Sequence, residues 1–255
     1  MNGAWQVNMD YELQKQRYYW ARELLIESTL LIQGKNCLDL GCGVGNMTLA
    51  LKSLGAKTAL GIDIDLSDQG ISYLEEIAEE EHVDTTGCYL VEGDVDKYNF
   101  GHQFDIVTMY DVIEHITSPS HILRTVYRLL KPGGFLYIES SPLYYSPIGH
   151  HCWNVYGRED PWPHLYDPDF SDIILEKGGP WLLNNYKRLN KITTNEILTI
   201  SKSTGFGLNW FKCRFVNDSV EKHPCKDAII YKAPELHDLY IESIRLVMKK
   251  ALAVE

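Results

Sequence analysis

The sequence lacks disulfide spacing, metal-ligand spacing and an export signal. No C-x-x-C pair and no regular interval links its six cysteines. The opening residues, MNGAWQVNMDYELQKQRYYWAR, contain no basic stretch followed by an apolar one, so no secretory signal is predicted. We therefore expect reduced thiols in a cytoplasmic protein. The cysteines are Cys37, Cys42, Cys88, Cys152, Cys213 and Cys225.

Long apolar runs and clusters of positive charge are also missing. No uncharged apolar run approaches the ~20 residues of a membrane helix. The chain carries 24 Lys and Arg against 35 Asp and Glu, a net charge of −11, and no basic stripe offsets its repulsion of phosphate backbones. The sequence predicts neither a membrane nor a nucleic-acid partner, and it leaves the oligomeric state open.

Strand and helix patterns alternate along the first part of the chain. With 255 residues and 45% hydrophobic content, the chain can bury a sizeable core. Its rhythm predicts parallel βαβ units with helices on both faces of a sheet. The predicted helices are 10–32, 47–54, 67–81 and 121–130, and the predicted strands are 36–40, 58–64, 87–91, 104–110 and 135–139.

The pattern changes after Ser140. From there to Asn190 the chain is rich in Pro, Gly, His and aromatic residues, which predicts a long irregular excursion of the kind that usually serves function. Thr193 and Glu196 fit a capping box that opens a helix to about residue 203. Two β-like runs follow at 207–215 and 243–249, and residues 222–239 receive no assignment.

A glycine-rich loop, Gly41-Cys42-Gly43-Val44-Gly45, separates the first strand from the next helix. Glycines in this place let backbone N–H groups approach a nucleotide-like ligand closely. Asp63 ends the second strand ~20 residues later, where a carboxylate can accept hydrogen bonds from ribose hydroxyls. Asp94 follows the third strand. Since ligands bind at the carboxyl ends of parallel strands, we expect one ligand to contact the loop and both carboxylates.

Five motifs occur in the order typical of one enzyme family. The segments LDLGCGVGN, GIDI, EGDV, FDIVTMYDVIEHI and LLKPGGFLYI, between residues 36 and 140, resemble those of class I S-adenosylmethionine-dependent methyltransferases. The resemblance implies a Rossmann-like, doubly wound α/β fold with a mostly parallel seven-stranded sheet and an antiparallel last strand. It implies a single domain with an N-terminal helix (1–33), a cofactor-binding core (34–140), a substrate-covering region (141–192) and a C-terminal helix with the last strands (193–255).

The resemblance also implies S-adenosylmethionine as the cofactor and a role for each matching residue. Asp39 and the glycine loop would face the amino-acid end of the cofactor, and Asp63 would hold the ribose. The adenine would contact Ile64, Asp94 and Val95. The methionine portion would lie against Tyr110, Asp111 and His115. The complete expected cofactor set is Asp39, Gly41, Cys42, Gly43, Gly45, Asp63, Ile64, Asp94, Val95, Tyr110, Asp111 and His115.

A nicotinamide-dependent oxidoreductase is the main alternative for such a loop. The dinucleotide fingerprint is G-x-G-x-x-G, whereas the third glycine here falls two residues after the second. Asp39 would repel a pyrophosphate but suits a cationic ammonium or sulfonium. The loop therefore favours the methyltransferase, and a binding module that captures the cofactor without transferring its methyl group is a further alternative.

Aromatic and histidine side chains concentrate between Ser140 and Tyr166. Aromatic walls with polar tips suit a small, partly apolar molecule or a sugar face, so Tyr144, Tyr145, Trp153 and Trp162 are predicted to bind the substrate. The segments SPIGHHCW, PWPHL and LNKITTNEI more loosely resemble bacterial methyltransferases that modify sugars and polysaccharides. We expect O-methylation of a sugar or another hydroxylated metabolite.

A hydroxyl acceptor must lose its proton, and His is the side chain suited to take it near neutral pH. His150 and His151 are the first candidates for the base, followed by His164 and then His115. An N- or S-nucleophile would need no base, so that alternative remains open. A metal could in principle be bound by the cluster of His150, His151, His164, Asp160 and Asp167. Their spacing matches no regular ligand motif, so no metal site is predicted.

Overall fold

The computed structural model describes residues 10–252 and contains a seven-stranded sheet. The strand order is β3-β2-β1-β4-β5-β7-β6. Residues 1–9 and 253–255, which the predicted terminal segments include, lie outside the described residues. The strands are β1 (Asn36–Leu40), β2 (Thr58–Asp63), β3 (Cys88–Glu92), β4 (Phe104–Tyr110), β5 (Leu130–Ser140), β6 (Phe206–Phe215) and β7 (Ile241–Lys250).

Strands β1 to β5 pair in parallel, and β7 pairs antiparallel with both β5 and β6. In the centre of the sheet, Asp39 of β1 lies between Gly61 of β2 and Thr108 of β4. The strand order reverses between β1 and β4, which is where ligands bind in open α/β sheets. The mostly parallel sheet with an antiparallel last strand is confirmed.

Helices cover both faces of the sheet. Helices α1 to α3 pack with one face through an apolar cluster that includes Leu25, Leu51 and Ile77. On the other face, α4 and α7 pack through a cluster that includes Val126 and Ile197. The α-helices are α1 (Tyr11–Glu27), α2 (Asn46–Ser53), α3 (Asp68–Glu80), α4 (Pro119–Leu129), α5 (Pro163–Tyr166), α6 (Phe170–Arg188), α7 (Thr194–Thr204) and α8 (Lys226–Lys232).

Local capping signals set two helix ends. Asp10 Oδ1 accepts a hydrogen bond from Leu13 N at the start of α1. The predicted capping box of α7 is confirmed, because Thr193 and Glu196 each accept a backbone N–H from the other. Helix α1 ends at Glu27, five residues earlier than predicted.

The prediction of an irregular chain from Ser140 to Asn190 is wrong for two stretches, since α5 and α6 lie within it. Helix α6 bends where Gly179 takes a non-helical conformation just before Pro180. The sequence Gly178-Gly179-Pro180 is typical of a turn, so it interrupts the helical pattern that the residues on either side of the bend would otherwise show. Residues 141–192 are called the covering segment below.

The covering segment packs against residues 220–240, most of which the sequence assigns to neither helix nor strand. Trp162 and Leu165 share an apolar cluster with Val220, Ile229 and Leu239. Residues 220–240 form α8 and two short 3-10 helices, Val220–Lys222 and Leu236–Tyr240. Together the two stretches build a small core beside the sheet.

All six cysteines lie within the described part of the chain, and each is a free thiol. Among the helices of residues 10–252, none is both long and apolar enough to cross a bilayer.

Candidate active site

A cavity of about 590 Å³ opens at the carboxyl ends of the first four strands. It lies at the reversal of strand order between β1 and β4, with the glycine loop (Gly41–Gly45) on one side. Its wall consists of Leu40, Gly41, Gly43, Val44, Ile62, Asp63, Ile64, Asp65, Ser67, Gly93, Asp94, Val95, Asp96, Asp111, Val112, His115, Ile116, Thr117, Ser118, His121, Ile122, Asn185 and Arg188.

The glycine loop needs glycine for its conformation and for space. Gly41, Gly43 and Gly45 have φ of 71°, 54° and 94°, a region that disfavours other residues. A Cβ at Gly41 would lie 2.5 Å from Val112 Cγ2. At Gly43 a Cβ would meet nothing within 4 Å among the described residues. The loop therefore brings bare backbone to the edge of the cavity.

Asp63 fixes the loop from the end of β2. Its Oδ2 accepts a hydrogen bond from Gly43 N at 2.8 Å, and its Oδ1 accepts one from Asp65 N at 3.2 Å. Each carboxylate oxygen has two lone pairs, so Asp63 retains acceptor capacity toward the cavity. This arrangement suits an acceptor for ribose hydroxyls.

Four of the expected cofactor residues do not line the cavity: Asp39, Cys42, Gly45 and Tyr110. Asp39 is 1% exposed and accepts hydrogen bonds from Thr48 Oγ1 and Thr108 Oγ1 at 2.8 and 2.9 Å. Burial raises its pKa to about 6. Asp39 thus ties β1 to α2 and β4 beneath the loop, and we propose that it reaches the cofactor's ammonium only through that loop.

One end of the cavity combines apolar and acidic side chains. Ile64 is exposed at the mouth, and Asp94 and Val95 follow β3. Asp96 accepts hydrogen bonds from His121 Nε2 at 2.8 Å and from Thr125 Oγ1 at 2.9 Å. An apolar surface beside carboxylates suits the face and the amino edge of an adenine.

Carboxyl groups gather where β4 and β5 end. Asp111 has a positive φ of 53°, and its Oδ1 accepts a hydrogen bond from Ser141 N at 2.9 Å. Burial, then the charges of Glu114 and Glu139, raises the pKa of Asp111 well above its ordinary value. Burial likewise raises the pKa of Glu114 and of Glu139 to about 7.

Glu114 suggests a cap or a surface charge from its sequence context, but it is only 3% exposed. Neither of its carboxylate oxygens has a hydrogen-bond partner among the described residues. Oε1 lies 4.0 Å from Nε2 of His115. A short 3-10 helix, Ile113–His115, places the two side chains in this relation.

The predicted histidines divide into two groups. His115 lines the cavity, and the ring of His151 contacts it edge-on with centroids 5.4 Å apart. His151 Nε2 is 2.9 Å from the carbonyl oxygen of Pro142 and therefore donates to it. The structure does not bring His150 and His164 to the cavity.

His150 and His164 are anchors within the covering segment. His150 is fully buried, and its Nδ1 accepts a hydrogen bond from Cys152 N at 2.9 Å. His164 Nε2 donates to the carbonyl oxygen of Tyr144 at 2.7 Å. Burial lowers the pKa of His150 to about 4 and that of His164 to about 3. Both rings are therefore uncharged parts of a packed core at neutral pH.

The four predicted substrate-binding aromatics also lie away from the cavity wall. Tyr144 and Trp162 are buried in the cluster shared with residues 220–240. Trp162 Nε1 donates to the carbonyl oxygen of Tyr145, and Trp153 Nε1 donates to that of Ile148. Tyr144 and Trp162 thus pack in a core of the covering segment instead of a substrate wall, whereas Trp153 is largely exposed.

Several residues of the wall were missed by sequence reasoning. Asp65 and Asp96 each lie two residues beyond a strand-end aspartate that was identified. Thr117 and Ser118 belong to the turn into α4, and His121 lies in the first turn of that helix. Asn185 and Arg188 come from α6. Their three-residue spacing places both side chains on one face of a helix, and it indicates a shared surface only if a helix is predicted there.

Among residues 10–252 there is no group of three or more His, Cys, Asp or Glu placed to hold a metal ion. The groups that are present fit S-adenosylmethionine. Carboxylates suit its ammonium and sulfonium cations and its ribose, the open backbone at Gly43 suits its amino-acid end, and the apolar wall suits its adenine.

Comparisons with known proteins agree with this geometry. A family model described as a methyltransferase domain matches residues 12–190. The ubiquinone biosynthesis O-methyltransferase of Pseudomonas putida (strain W619) is 31% identical over 195 residues, which cover 68% of this chain and 81% of the relative.

Solved structures share the fold. A SAM-dependent methyltransferase from Methanosarcina mazei covers 90% of this chain and 98% of its own length, with a TM-score of 0.54 and 20% identity. Magnesium protoporphyrin IX methyltransferase from Synechocystis PCC 6803 with bound SAM covers 93% and 79%, with a TM-score of 0.51 and 15% identity. From its motifs, sheet order, cavity and relatives, the chain belongs to the class I methyltransferases, enzymes that use S-adenosylmethionine as cofactor.

Proposed function

We propose that this methyltransferase acts on a hydroxyl oxygen of a small molecule, with His115 as the general base. The observation that carries the proposal is that His115 lines the cavity that also contains the glycine loop and Asp63. A sugar or another hydroxylated metabolite is the proposed acceptor class. Curated relatives named ubiquinone biosynthesis O-methyltransferase support an oxygen acceptor.

S-adenosylmethionine supplies a methyl group on a positively charged sulfur, which is a good leaving group. The protein must therefore hold the acceptor oxygen close to that methyl group and remove its proton. The glycine loop and Asp63 bind the cofactor from one side of the cavity. His115, in the short 3-10 helix that follows β4, contacts the acceptor from another side.

His115 suits proton transfer because its ring is uncharged. Burial, followed by the neighbouring His151, lowers its pKa to about 4, so the imidazole is uncharged at neutral pH and can take up a proton. Once protonated, the ring has the Glu114 carboxyl 4.0 Å from Nε2 as a countercharge. Glu114 acts through His115 and is a positioning residue in this scheme.

His151 is proposed to position the base through the contact between the two rings. It contacts the His115 ring edge-on, and its hydrogen bond to Pro142 fixes its own orientation. Of the predicted catalytic histidines, His151 thus keeps an indirect role. Because His150 and His164 are enclosed in the covering segment, the base is assigned to His115 instead.

The test is methyl transfer to candidate sugars, sugar acids and dihydroxylated aromatics, detected by mass spectrometry as the addition of one methyl group. His115→Asn is expected to lower kcat by roughly 10²–10⁴, as for removal of a general base. The dissociation constant for S-adenosylhomocysteine is measured on the same variant, so that a loss of kcat is separated from any loss of cofactor affinity at this wall residue. His82→Asn is the control, because His82 is exposed, lies outside the cavity and has a positive φ that Asn tolerates.

Unchanged kcat in His115→Asn would reject the base and favour an N- or S-acceptor, which loses its proton in solution. Absence of any methylated product, together with tight S-adenosylhomocysteine binding, would favour a binding module. Calorimetry with NADH should show no binding, whereas a nicotinamide-dependent enzyme would bind it.

A further inference from the structure

Arg188 is a positively charged residue in a cavity wall whose other charged side chains are acidic. The wall contains five carboxylates, Asp63, Asp65, Asp94, Asp96 and Asp111. Burial keeps His115 uncharged at neutral pH, and His121 is hydrogen-bonded to Asp96. Among the described residues, Arg188 is therefore the wall's one permanently charged cation.

The backbone that carries Arg188 is attached near the proposed base, and the Arg188 side chain itself is exposed at the cavity wall. Helix α6 ends at Arg188, and Asn190 follows two residues later. Asn190 Nδ2 donates to the carbonyl oxygens of Ile113 and Ile116 at 2.7 and 2.8 Å, and Asn190 N donates to that of Glu114 at 2.9 Å. The end of α6 is thus attached to the backbone turn that carries His115.

The guanidinium of Arg188 has no partner among residues 10–252. Its side chain makes neither a hydrogen bond nor an ion pair with any described residue, although carboxylates line the same cavity. A guanidinium presents five N–H donors in a planar fork that matches a carboxylate or phosphate. Asn185, three residues earlier, lies on the same side of the helix and adds an amide to the wall.

We propose that Arg188, assisted by Asn185, binds an oxyanion of the acceptor, a carboxylate or a phosphate. This inference rests on the proposed function and specifies its substrate class as anionic hydroxylated molecules. Because the carboxylates of the wall repel negative charge, an anionic group of the acceptor would be held where the wall offers the opposite charge, at Arg188.

A cation in the last turn of a helix can also act on the helix dipole alone. Lys187 provides the matched control, because it precedes Arg188 in the same turn, is exposed and does not line the cavity. Arg188→Gln and Lys187→Gln remove the same charge from the same helix end. A dipole effect would change both variants, and an acceptor contact would change only the first.

The experiment measures binding to the complex with S-adenosylhomocysteine by calorimetry. The probes are two matched pairs, glucuronate with glucose and 3,4-dihydroxybenzoate with catechol, together with inorganic phosphate. We expect the wild type to bind at least one anionic probe about tenfold or more tightly than its neutral partner. Arg188→Gln should lose about tenfold to a hundredfold for that probe, the range of a hydrogen bond to a charged group. Lys187→Gln should bind as the wild type does.

Three outcomes would overturn the inference. One is that no anion binds to the complex at millimolar concentration. Another is an equal loss for charged and neutral probes, or for both variants, which would indicate a structural role. The third is a matching loss of S-adenosylhomocysteine affinity in Arg188→Gln, which would assign the guanidinium to the cofactor's carboxylate. Anion binding that depends on Arg188 without any methyl transfer would contradict the proposed function and leave the oxyanion site standing.

Discussion

The cavity wall at the ends of β1 to β4 and the covering segment differ in how many of their polar and aromatic residues line the cavity. The wall is built from short stretches of chain, which are the glycine loop, Asp63, Asp94 and the turn at Asp111. Each presents backbone groups or a short side chain to the cavity. The covering segment has far more aromatic and histidine side chains, yet it gives the cavity Asn185 and Arg188. The number of aromatic and histidine side chains in a region therefore did not predict how many of its residues line the cavity.

The reason lies in what each region must satisfy. The wall rests on a central sheet that is already packed on both faces, so its polar groups can remain at an edge. The covering segment projects beyond that sheet and has to bury its own apolar surface. Its large rings therefore form two small cores, and its helical face supplies polar groups to the site.

The largest expected effect is on the covering segment's core. Trp162→Ala should reduce the free energy of unfolding by about 3–5 kcal/mol, because Trp162 is fully buried and its indole N–H is hydrogen-bonded. Trp153→Ala, at a side chain 55% exposed, should cost much less. Chemical denaturation compares the two, and equal losses would contradict the assignment of Trp162 to a core.

In the wall, the strongest effect is expected at Gly41. Gly41→Ala places a Cβ 2.5 Å from Val112 Cγ2 in a left-handed conformation, so we expect a loss of roughly 2–5 kcal/mol from strain and overpacking together. Gly43→Ala is the matched control, with a positive φ and open space, and should lose only about 1–2 kcal/mol. Thermal unfolding without cofactor separates the two variants; an equal fall in Tm would show that crowding at Val112 is unimportant.

A smaller change is expected from Asp63→Asn, which removes charge from the acceptor for ribose. Affinity for S-adenosylhomocysteine should fall by about tenfold to a hundredfold, the value of hydrogen bonds to a charged group. Asp68→Asn, in the first turn of α3 and outside the cavity wall, should leave that affinity unchanged. Calorimetry on both variants tests the assignment, and wild-type affinity in Asp63→Asn would remove Asp63 from the cofactor site.

The smallest effect is a pH dependence that differs in sign between the two regions. The lowered pKa values of His150 and His164, about 4 and 3, mean that the unfolded chain binds more protons below about pH 6.5. The covering segment should therefore lose stability as pH falls from about 6.5 to 4. Glu114 and Glu139 have pKa values raised to about 7, so at these groups the folded chain binds more protons than the unfolded chain from about pH 7 down to about pH 4.3. The region where β4 and β5 end should therefore gain stability as pH falls through that range.

Hydrogen exchange, corrected for its intrinsic pH dependence, measures this difference. Protection of amides in α5 and α6 should decrease between pH 7 and pH 5 relative to amides in β1 and β4. A parallel change in both regions would show that the buried histidines do not set the acid stability of the covering segment.

Sequence reasoning succeeds where a few neighbouring residues dictate the backbone. The strand-loop-helix context of Gly41–Gly45, the carboxylate of Asp63 at the end of β2 and the capping box at Thr193 all follow from local sequence patterns. It fails for Glu114, whose burial depends on β5 and on the chain around Asn190, and for α6, whose helical pattern is interrupted at Gly179 and Pro180.

The sequence by itself determined the parallel sheet and the glycine loop, because these follow from local backbone preferences and from periodicity. It determined the cofactor through motifs that resemble those of a known family. Only the tertiary structure decided which histidine reaches the cavity, which aromatics are buried and which cation faces the acids. Those outcomes depend on contacts between residues far apart in the chain, such as Trp162 with Val220 and Asn190 with Ile113, and no short pattern encodes them.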